Sequence, residues 1–412
     1  MTVRLGTFDA ERAWRPAELA QLPAVPGAAG HVESMDVLLA CLCSPGDTLI
    51  TRDPVDPVLR EAMDEAGLRF GHLAAGSGGS VEEAVLRDAG ALDLVRDNPF
   101  APYAVTDAVA ALADVSATRL PAVADVVRVN SKTWSNDLVA ELGLAGAGTV
   151  VRSVAELEQA VAGAAGPVVV KDPYGVSGRG AVEIRSPGVL RAVTRVLARQ
   201  DRRVELLVQP WYDKRHDLSA HGEVTPDGQW RPLGECVTHN RGFRYAGSGP
   251  LTAGLVADVA GWRRVIAEVA GRVAAEGYWG PVSIDAMVLA DGTLVPVLEI
   301  NARVSLGRLA LELDRRLGDG DLRCHLWQIE LAVPAGSGVG DLVRALAADG
   351  LLHRGGAGPG CVVLGGGVVA PPIGRVYCAL RCAPSDLAGL RDRVLTSLAG
   401  VGLTPRGTIH AA

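Results

Sequence analysis

Glu299-Ile-Asn-Ala-Arg303 is the segment of this chain with the most chemical capacity. Its three polar residues are two apart, so in a strand they project from one face while Ile300 and Leu298 project from the other. Fourteen positions upstream lies Asp285, within the strand-like run Val282 to Leu289, and Asp291-Gly292 reads as the hairpin turn joining that run to Leu294 through Ile300. Antiparallel pairing can then bring Asp285 opposite Glu299. Two carboxylates and the amide oxygen of Asn301 form a hard-oxygen set of the kind Mg2+ takes when it also bridges substrate phosphates. The competing reading is a solvated polar face whose carboxylates pair with Arg303.

A second cluster, Lys171-Asp-Pro-Tyr-Gly-Val-Ser-Gly-Arg-Gly180, puts a lysine at the end of an apolar strand and a glycine-rich turn after it. Gly175, Gly178 and Gly180 allow successive backbone N–H groups to point at one anion. Ser177 adds a donor, and Lys171 and Arg179 bring positive charge, which together suit a phosphate. A hairpin tip without a ligand is the alternative. In His239-Asn-Arg-Gly-Phe-Arg-Tyr245, read as a loop, Arg241 and Arg244 are the candidates for recognising a substrate carboxylate, against the alternative of a solvated basic loop. His216 and His221 are expected at the surface rather than as metal ligands. Gly355 to Gly360 is expected to be a flexible connection, because Pro359 and the missing preceding strand argue against a dinucleotide loop.

These groups need elements to hold them. Residues 1 to about 125 read as α/β: the apolar run Asp36 to Cys43, a turn at Ser44-Pro-Gly-Asp47, a strand Thr48 to Thr51 and a helix from Pro57 to Ala66 stopped by Gly67. A helix starts near Asn130 and another is capped at Ser153. The strands Val168 to Lys171 and Ala181 to Ile184 then form a hairpin over a helix begun by Ser186-Pro187. Glu205 to Pro210 is a strand, antiparallel strands run to Tyr245, and a long helix fits Ala257 to Glu276. Beyond residue 320 the reading is a helix from Gly340 to Ala348, a strand from Arg375 to Arg381 and a helix begun by Ser385-Asp386.

Composition narrows the function. The chain has 412 residues, 48% hydrophobic and 21% charged, which is enough for two or three folded domains and rules out a disordered chain. With 40 Lys and Arg against 47 Asp and Glu, the net charge of −7 lacks the footprint of a nucleic-acid binder. No apolar run reaches the length of a membrane span, and no signal peptide is read at the start, so a cytoplasmic protein is expected. Seven cysteines without a Cys-x-x-Cys pair suit reduced thiols. A Gly-x4-Gly-Lys-Ser/Thr phosphate loop is missing, as is a convincing catalytic triad.

The order Lys132, Lys171 with its glycine-rich loop, a linker strand, then Asp285 and Glu299-Ile-Asn-Ala-Arg303 resembles the ATP-grasp superfamily over roughly residues 125 to 315. The resemblance implies an α/β and α+β fold in four parts: an N-terminal α/β domain (1–125), a small subdomain with a glycine-rich lid (126–205), a large subdomain with the metal site (206–320) and a small C-terminal α/β segment (321–412). It implies ATP and Mg2+ as cofactors. Lys132 and Lys171 would contact phosphates under a lid of Gly175, Ser177, Gly178, Arg179 and Gly180. Gln209 and Trp211 would lie at the base, where Gln209 and Pro210 replace the family's usual acidic residues and leave backbone groups to read it. Asp217 would meet the ribose. Asp285, Glu299 and Asn301 would hold the metal, and Arg303 would stabilise the transferring phosphoryl group or the acyl phosphate and help bind substrate. The implied reaction joins a small-molecule carboxylate to an amine, both expected among amino acids or short peptides of specialised metabolism, in a chain that could act as a homodimer. A carboxylating enzyme using bicarbonate and a non-catalytic nucleotide-binding regulator are the alternatives.

Overall fold

The structure, a computed structural model, describes residues 1–23, 32–76, 78–176, 179–365 and 369–406, without the side chains of Glu33, Val176 and Arg179. Among the described residues the strands form three sheets. Four short strands, β1 (Val3–Leu5), β2 (Thr48–Thr51), β3 (Gly71–Ala74) and β4 (Phe100–Pro102), pair in parallel in the order β3-β2-β1-β4. Parallel neighbours need crossovers. The helix Pro57–Glu65 supplies one, with Asp56 accepting from Val58 N and Leu59 N and Pro57 at its first position. The apolar run at Asp36 does not extend; Asp36–Leu42 coils into a buried 3-10 helix, and the Asp36 carboxylate accepts from Val37 N and Arg52 N.

The second sheet contains β5 (Thr149–Val151), β6 (Val168–Val176), β7 (Arg179–Ile184) and β8 (Leu206–Pro210) in the order β5-β8-β6-β7, all antiparallel. Helices Val154–Ala162 and Pro187–Ala198 cover it, capped by Ser153 and Ser186 as the sequence indicates. This sheet reaches Pro210, past residue 205, because β8 fills the gap between β5 and β6.

Nine strands make the third sheet. It takes β9 (Lys214–Val224), β10 (Trp230–Arg241), β11 (Arg244–Pro250), β12 (Gly280–Leu289), β13 (Leu294–Asn301), β14 (Arg323–Ala332), β15 (Gly360–Gly365), β16 (Ile373–Cys382) and β17 (Thr404–Pro405). The order is β13-β12-β9-β10-β11-β14-β16-β15, with β17 on β14. The strands after residue 320 therefore extend the large sheet instead of building a separate unit. β14 pairs with β16 over its whole length, and β15 adds to β16 at the edge of the sheet, with both faces of its Cys361–Leu364 run buried, so this apolar strand is covered above and below. The helix Val259–Ala275 buries Trp262, Ile266, Val269 and Val273 along one side, and the Trp262 indole donates to Pro296 O at 3.2 Å.

All seven cysteines are buried and unpaired. Among the described residues no helix is long and apolar enough to cross a membrane.

One buried amide ties the helix Val123–Val129 to the end of β13. Asn130 Oδ1 accepts from Ala302 N at 2.9 Å, and its Nδ2 donates to Val126 O at 2.8 Å, which fixes the chain between Asn301 and Arg303. Replacing Asn130 with Ala leaves Ala302 N–H buried without an acceptor. Denaturant unfolding should show a loss of about 2–3 kcal/mol; an unchanged midpoint would remove this tether from the account.

Candidate active site

The register of the large sheet decides the site. β12 and β13 pair Ser283 with Asn301, Ile284 with Ile300 and Asp285 with Glu299. Directly opposed residues of an antiparallel pair share a face, so the two carboxylates stand side by side. The register then shifts between Asp285 and Met287, an irregularity of the type that re-aims side chains beside functional sites. β9 extends the same face, with His221 beside Ser283 and Ser219 beside Asp285.

This face is the floor of a cavity of about 370 Å³. Val169, Lys171, Gly175 and Gly180 of the β6–β7 hairpin line one end, and Phe8, Met35 and Tyr103 of the N-terminal unit line the opposite side. Phe8 and Tyr103 stack with ring centroids 4.1 Å apart. Gly180 has to be glycine: its φ is +88°, and a Cβ there would come within 2.9 Å of Asp172 Cβ and Gly175 Cα. Asp172, buried at the root of the hairpin, pairs with Arg15 and accepts from Tyr174 N at 2.9 Å.

Charge is tightly organised here. Lys132 Nζ contacts Glu299 Oε1 at 2.7 Å and donates to Gly175 O at 2.5 Å, joining hairpin to floor. Asn301 Nδ2 donates to Asp285 Oδ2 at 3.1 Å, while Asn301 Oδ1 accepts from Arg303 Nη2 at 3.1 Å. Arg303, itself buried, is neutralised by Glu11: its Nε donates to Glu11 Oε1 at 2.6 Å, and the ring of Tyr103 lies 5.6 Å from the guanidinium. Burial, reinforced by the neighbouring Glu299, pushes the Asp285 carboxyl up to about 7. Burial holds the Lys171 ammonium below its ordinary value, against the pull of Glu299 and with help from Lys132. The cluster favours an added cation at the carboxylates and an added anion at the lysines.

Several expected residues meet in this cavity: Lys132, Lys171, Gly175, Gly180, Gln209, Trp211, Asp217, Arg244, Asp285, Glu299, Asn301 and Arg303 all line it. Ser177 and Gly178 lie outside the described residues, as does the side chain of Arg179. The Gln209 side chain is occupied, with Nε2 donating to Gly146 O at 2.7 Å. Asp217 is held by Lys214 at 2.5 Å and Asn240 at 2.8 Å. The segment His239 to Tyr245 is not a loop but the tip of the β10–β11 hairpin. Arg241 pairs across it with Arg244, and Gly242 at φ +61° makes the two-residue turn. That geometry leaves Arg241 exposed and off the cavity wall, while Arg244 remains on it.

His221 is a second departure. It is buried on the cavity floor, with Nε2 at 2.8 Å from Ser219 Oγ and Nδ1 at 3.2 Å from Ser305 Oγ. Burial drives its pKa down to about 3, so the ring is neutral near pH 7. Gly355 to Gly360 contributes nothing to the lining. Cavity residues that the sequence reading passed over include Ser283, Gln328, Arg375 and Tyr377. Ser283 was signalled by its two-residue offset from Asp285. The other three had no local signal, because they reach the site only once β14 and β16 join the large sheet.

Among the described residues no cluster of three or more His, Cys, Asp or Glu is placed to hold a metal. The set here is two carboxylates and an amide, which suits an ion that keeps further positions for phosphate oxygens and water.

No family model matches the chain. Among curated proteins it is similar to a [butirosin acyl-carrier protein]--L-glutamate ligase of Niallia circulans, 28% identical over 149 residues, or 36% of this chain. The match spans only 35% of that ligase's length. Among solved structures it is similar to N5-carboxyaminoimidazole ribonucleotide synthetase from Thermus thermophilus, with a TM-score of 0.57 and 13% identity over 100% of both chains. Biotin carboxylase from Campylobacter jejuni, solved as a β-γ-ATP complex, gives a TM-score of 0.57 and 10% identity over 92% of this chain and 90% of that one. With a paired-carboxylate floor, a glycine-bearing hairpin at its end and this likeness along the whole chain, the protein has the ATP-grasp fold.

Proposed function

We propose that this chain is an ATP-dependent, ADP-forming ligase that activates a carboxylate as an acyl phosphate and joins it to an amine. The observation that carries this reading is the pairing of Asp285 with Glu299 on the floor of a cavity whose other charges are Lys132 and Lys171. The donor set fits magnesium on chemical grounds: burial and the neighbouring Glu299 carboxylate raise the proton affinity of Asp285, and two adjacent carboxylates gain from a divalent cation between them. In this reading Asp285, Glu299 and Asn301 hold Mg2+, which when bound with ATP would neutralise charge on the phosphate oxygens.

The chain's own residues do the rest. Lys132 and Lys171 bind phosphate oxygens, and the β6–β7 hairpin, carrying Gly175, Ser177, Gly178, Arg179 and Gly180, closes over them and excludes water. Gln209, Trp211 and Asp217 border the nucleoside, Gln209 through its backbone, since its side chain is engaged. Arg303, paired with Glu11, holds Asn301 in place beside the transferring group that it is proposed to stabilise. Arg244 stands at the rim as a contact for an anionic substrate. An amino acid is the preferred amine or carboxylate, supported by the L-glutamate named for the Niallia circulans ligase. The carrier protein in that same name makes a carrier-bound acyl group a second form of the substrate.

An ADP-release screen with amino acids singly and in pairs, followed by mass spectrometry, tests this directly. Amine-dependent release supports the ligase; release that follows bicarbonate instead would turn the assignment toward a carboxylating enzyme, and ATP binding with no release toward a regulator. Glu299→Gln should lower kcat by roughly 100-fold or more with the melting temperature nearly unchanged, and wild-type turnover would sink the metal assignment. Lys171→Met should weaken ATP binding roughly tenfold, read by calorimetric titration.

Metal binding should also depend on pH. With its carboxyl pushed up to about 7, Asp285 takes a proton below that pH in the metal-free protein, so the metal-free fold loses stability as pH rises from the ordinary carboxylate range toward 7. Mg2+ must displace that proton. The rise in melting temperature on adding Mg2+ should therefore be larger at pH 8 than at pH 5.5, and Asp285→Asn should abolish the difference. Equal shifts at both pH values would contradict the paired-carboxylate site.

A further inference from the structure

The sheet face that holds the paired carboxylates continues to the far wall of the cavity, where it presents a cation with spare hydrogen-bonding capacity. On β14 and β16, Gln328 lies opposite Tyr377 and Glu330 opposite Arg375. Gln328, Arg375 and Tyr377 line the cavity. Arg375 approaches Glu330 only to 3.6 Å, beyond hydrogen-bond distance, and its Nε is buried without a hydrogen-bond partner. The Tyr377 hydroxyl accepts from Gln328 Nε2 at 2.7 Å, so its proton is free to donate, and it meets only the weak acceptor Met35 Sδ at 3.7 Å.

Among the described residues the other buried cations of the cavity are engaged or belong to the phosphate end. Lys132 pairs with Glu299, Arg303 with Glu11, and Lys171 sits on the hairpin. Arg375 is five strands from β12 along the order β12-β9-β10-β11-β14-β16, at about 4.8 Å per step. It therefore belongs to a different part of the sheet from the paired carboxylates of Asp285 and Glu299. Both parts of the sheet nevertheless line one cavity, which Asp285 and Glu299 share with Gln328, Arg375 and Tyr377.

We propose that Arg375, with the Tyr377 hydroxyl set by Gln328, binds a substrate carboxylate remote from the bond being made. A planar guanidinium with unused N–H groups beside a phenol that can donate fits a carboxylate in two-point contact. At least one of the joined molecules then carries a free carboxylate besides the groups that react, as an amino acid or peptide does and a simple amine does not. This rests on the ligase reading of the near end and assigns the specificity of the far end.

The test compares the full-length wild type with Arg375→Met and Arg375→Lys, using the substrate pair that gives the fastest ADP release. Arg375→Met should raise KM for the carboxylate-bearing partner by about tenfold or more while kcat changes far less. Converting that carboxylate to its carboxamide should cost the wild type a similar factor and leave the variant unaffected. Running the amidation separately on the amine partner and on the far end of the acyl partner shows which of them is anchored. Arg375→Lys keeps the charge without the fork and should fall between; if the methionine variant melts far below the wild type, the lysine variant carries the comparison, a raised KM supporting the anchor and a wild-type KM overturning it. Equal KM values, or an equal rise for acid and carboxamide, overturn it as well. If the wild type releases no ADP with any amine, the ligase reading fails by itself. Saturation-transfer NMR of the twenty amino acids against the chain with ADP then still reads the far wall: a bound amino acid lost in Arg375→Met supports the anchor, and no binding or unchanged binding overturns it.

Discussion

Two carboxylates set side by side on neighbouring strands repel each other, and the rest of the site is arranged around that repulsion. The register that pairs Asp285 with Glu299 leaves no other geometry: a slip of one residue would turn Glu299, Asn301 and Arg303 to the opposite face of the sheet. Lys132 offsets Glu299 from one side, and Asn301 bridges Asp285 to Arg303 from the other. Arg303 would itself be a costly buried charge, and Glu11 neutralises it from the N-terminal unit. A continuous line of contacts thus runs from the lid hairpin through the floor to the N-terminal unit. It still leaves Asp285 short of positive charge, as its raised proton affinity records.

The part of the site legible in the sequence is the part built from local alternation. Asp285, Glu299, Asn301 and Arg303 share a face because strands have a period of two, and the Asp291-Gly292 turn brings their strands together, although the irregularity between Asp285 and Met287 that sets Asp285 opposite Glu299 has no such local signal. Lys171 and the glycines after it belong to one hairpin, so their proximity is also local. Asp217, Ser219 and His221 showed the same signature, polar residues alternating with Leu218 and Ala220, yet a polar strand face reads as solvent-facing when nothing nearby indicates a cover. Here the cover comes from Phe8, Met35 and Tyr103, more than a hundred residues away in sequence. That distance is why His221 was expected at the surface and is found buried.

The C-terminal strands were hidden for a different reason. A segment such as Cys361 to Leu364 is apolar without alternation, which fixes burial on two faces but not the sheet it joins. Once β14 and β16 are added to β11, Gln328, Arg375 and Tyr377 fall on the face already shaped by β9, β12 and β13. Membership of one sheet, a long-range property, converts what read as a separate small segment into a wall of the cavity.

That arrangement separates two demands on the same pocket. The near end must neutralise a large, fixed charge, and it does so with groups clamped to one another, so substitutions there disturb a network in which each partner keeps another from being a lone buried charge. At the far end the residues touch one another loosely: Arg375 is beyond hydrogen-bond distance from Glu330, and Tyr377 spends its proton on a thioether. Loosely committed polar groups in a sheltered pocket gain the most from an incoming ligand, because their cost is already carried by the fold. In the proposed reading, the far wall can therefore change its ligand without disturbing the charge network at the near end.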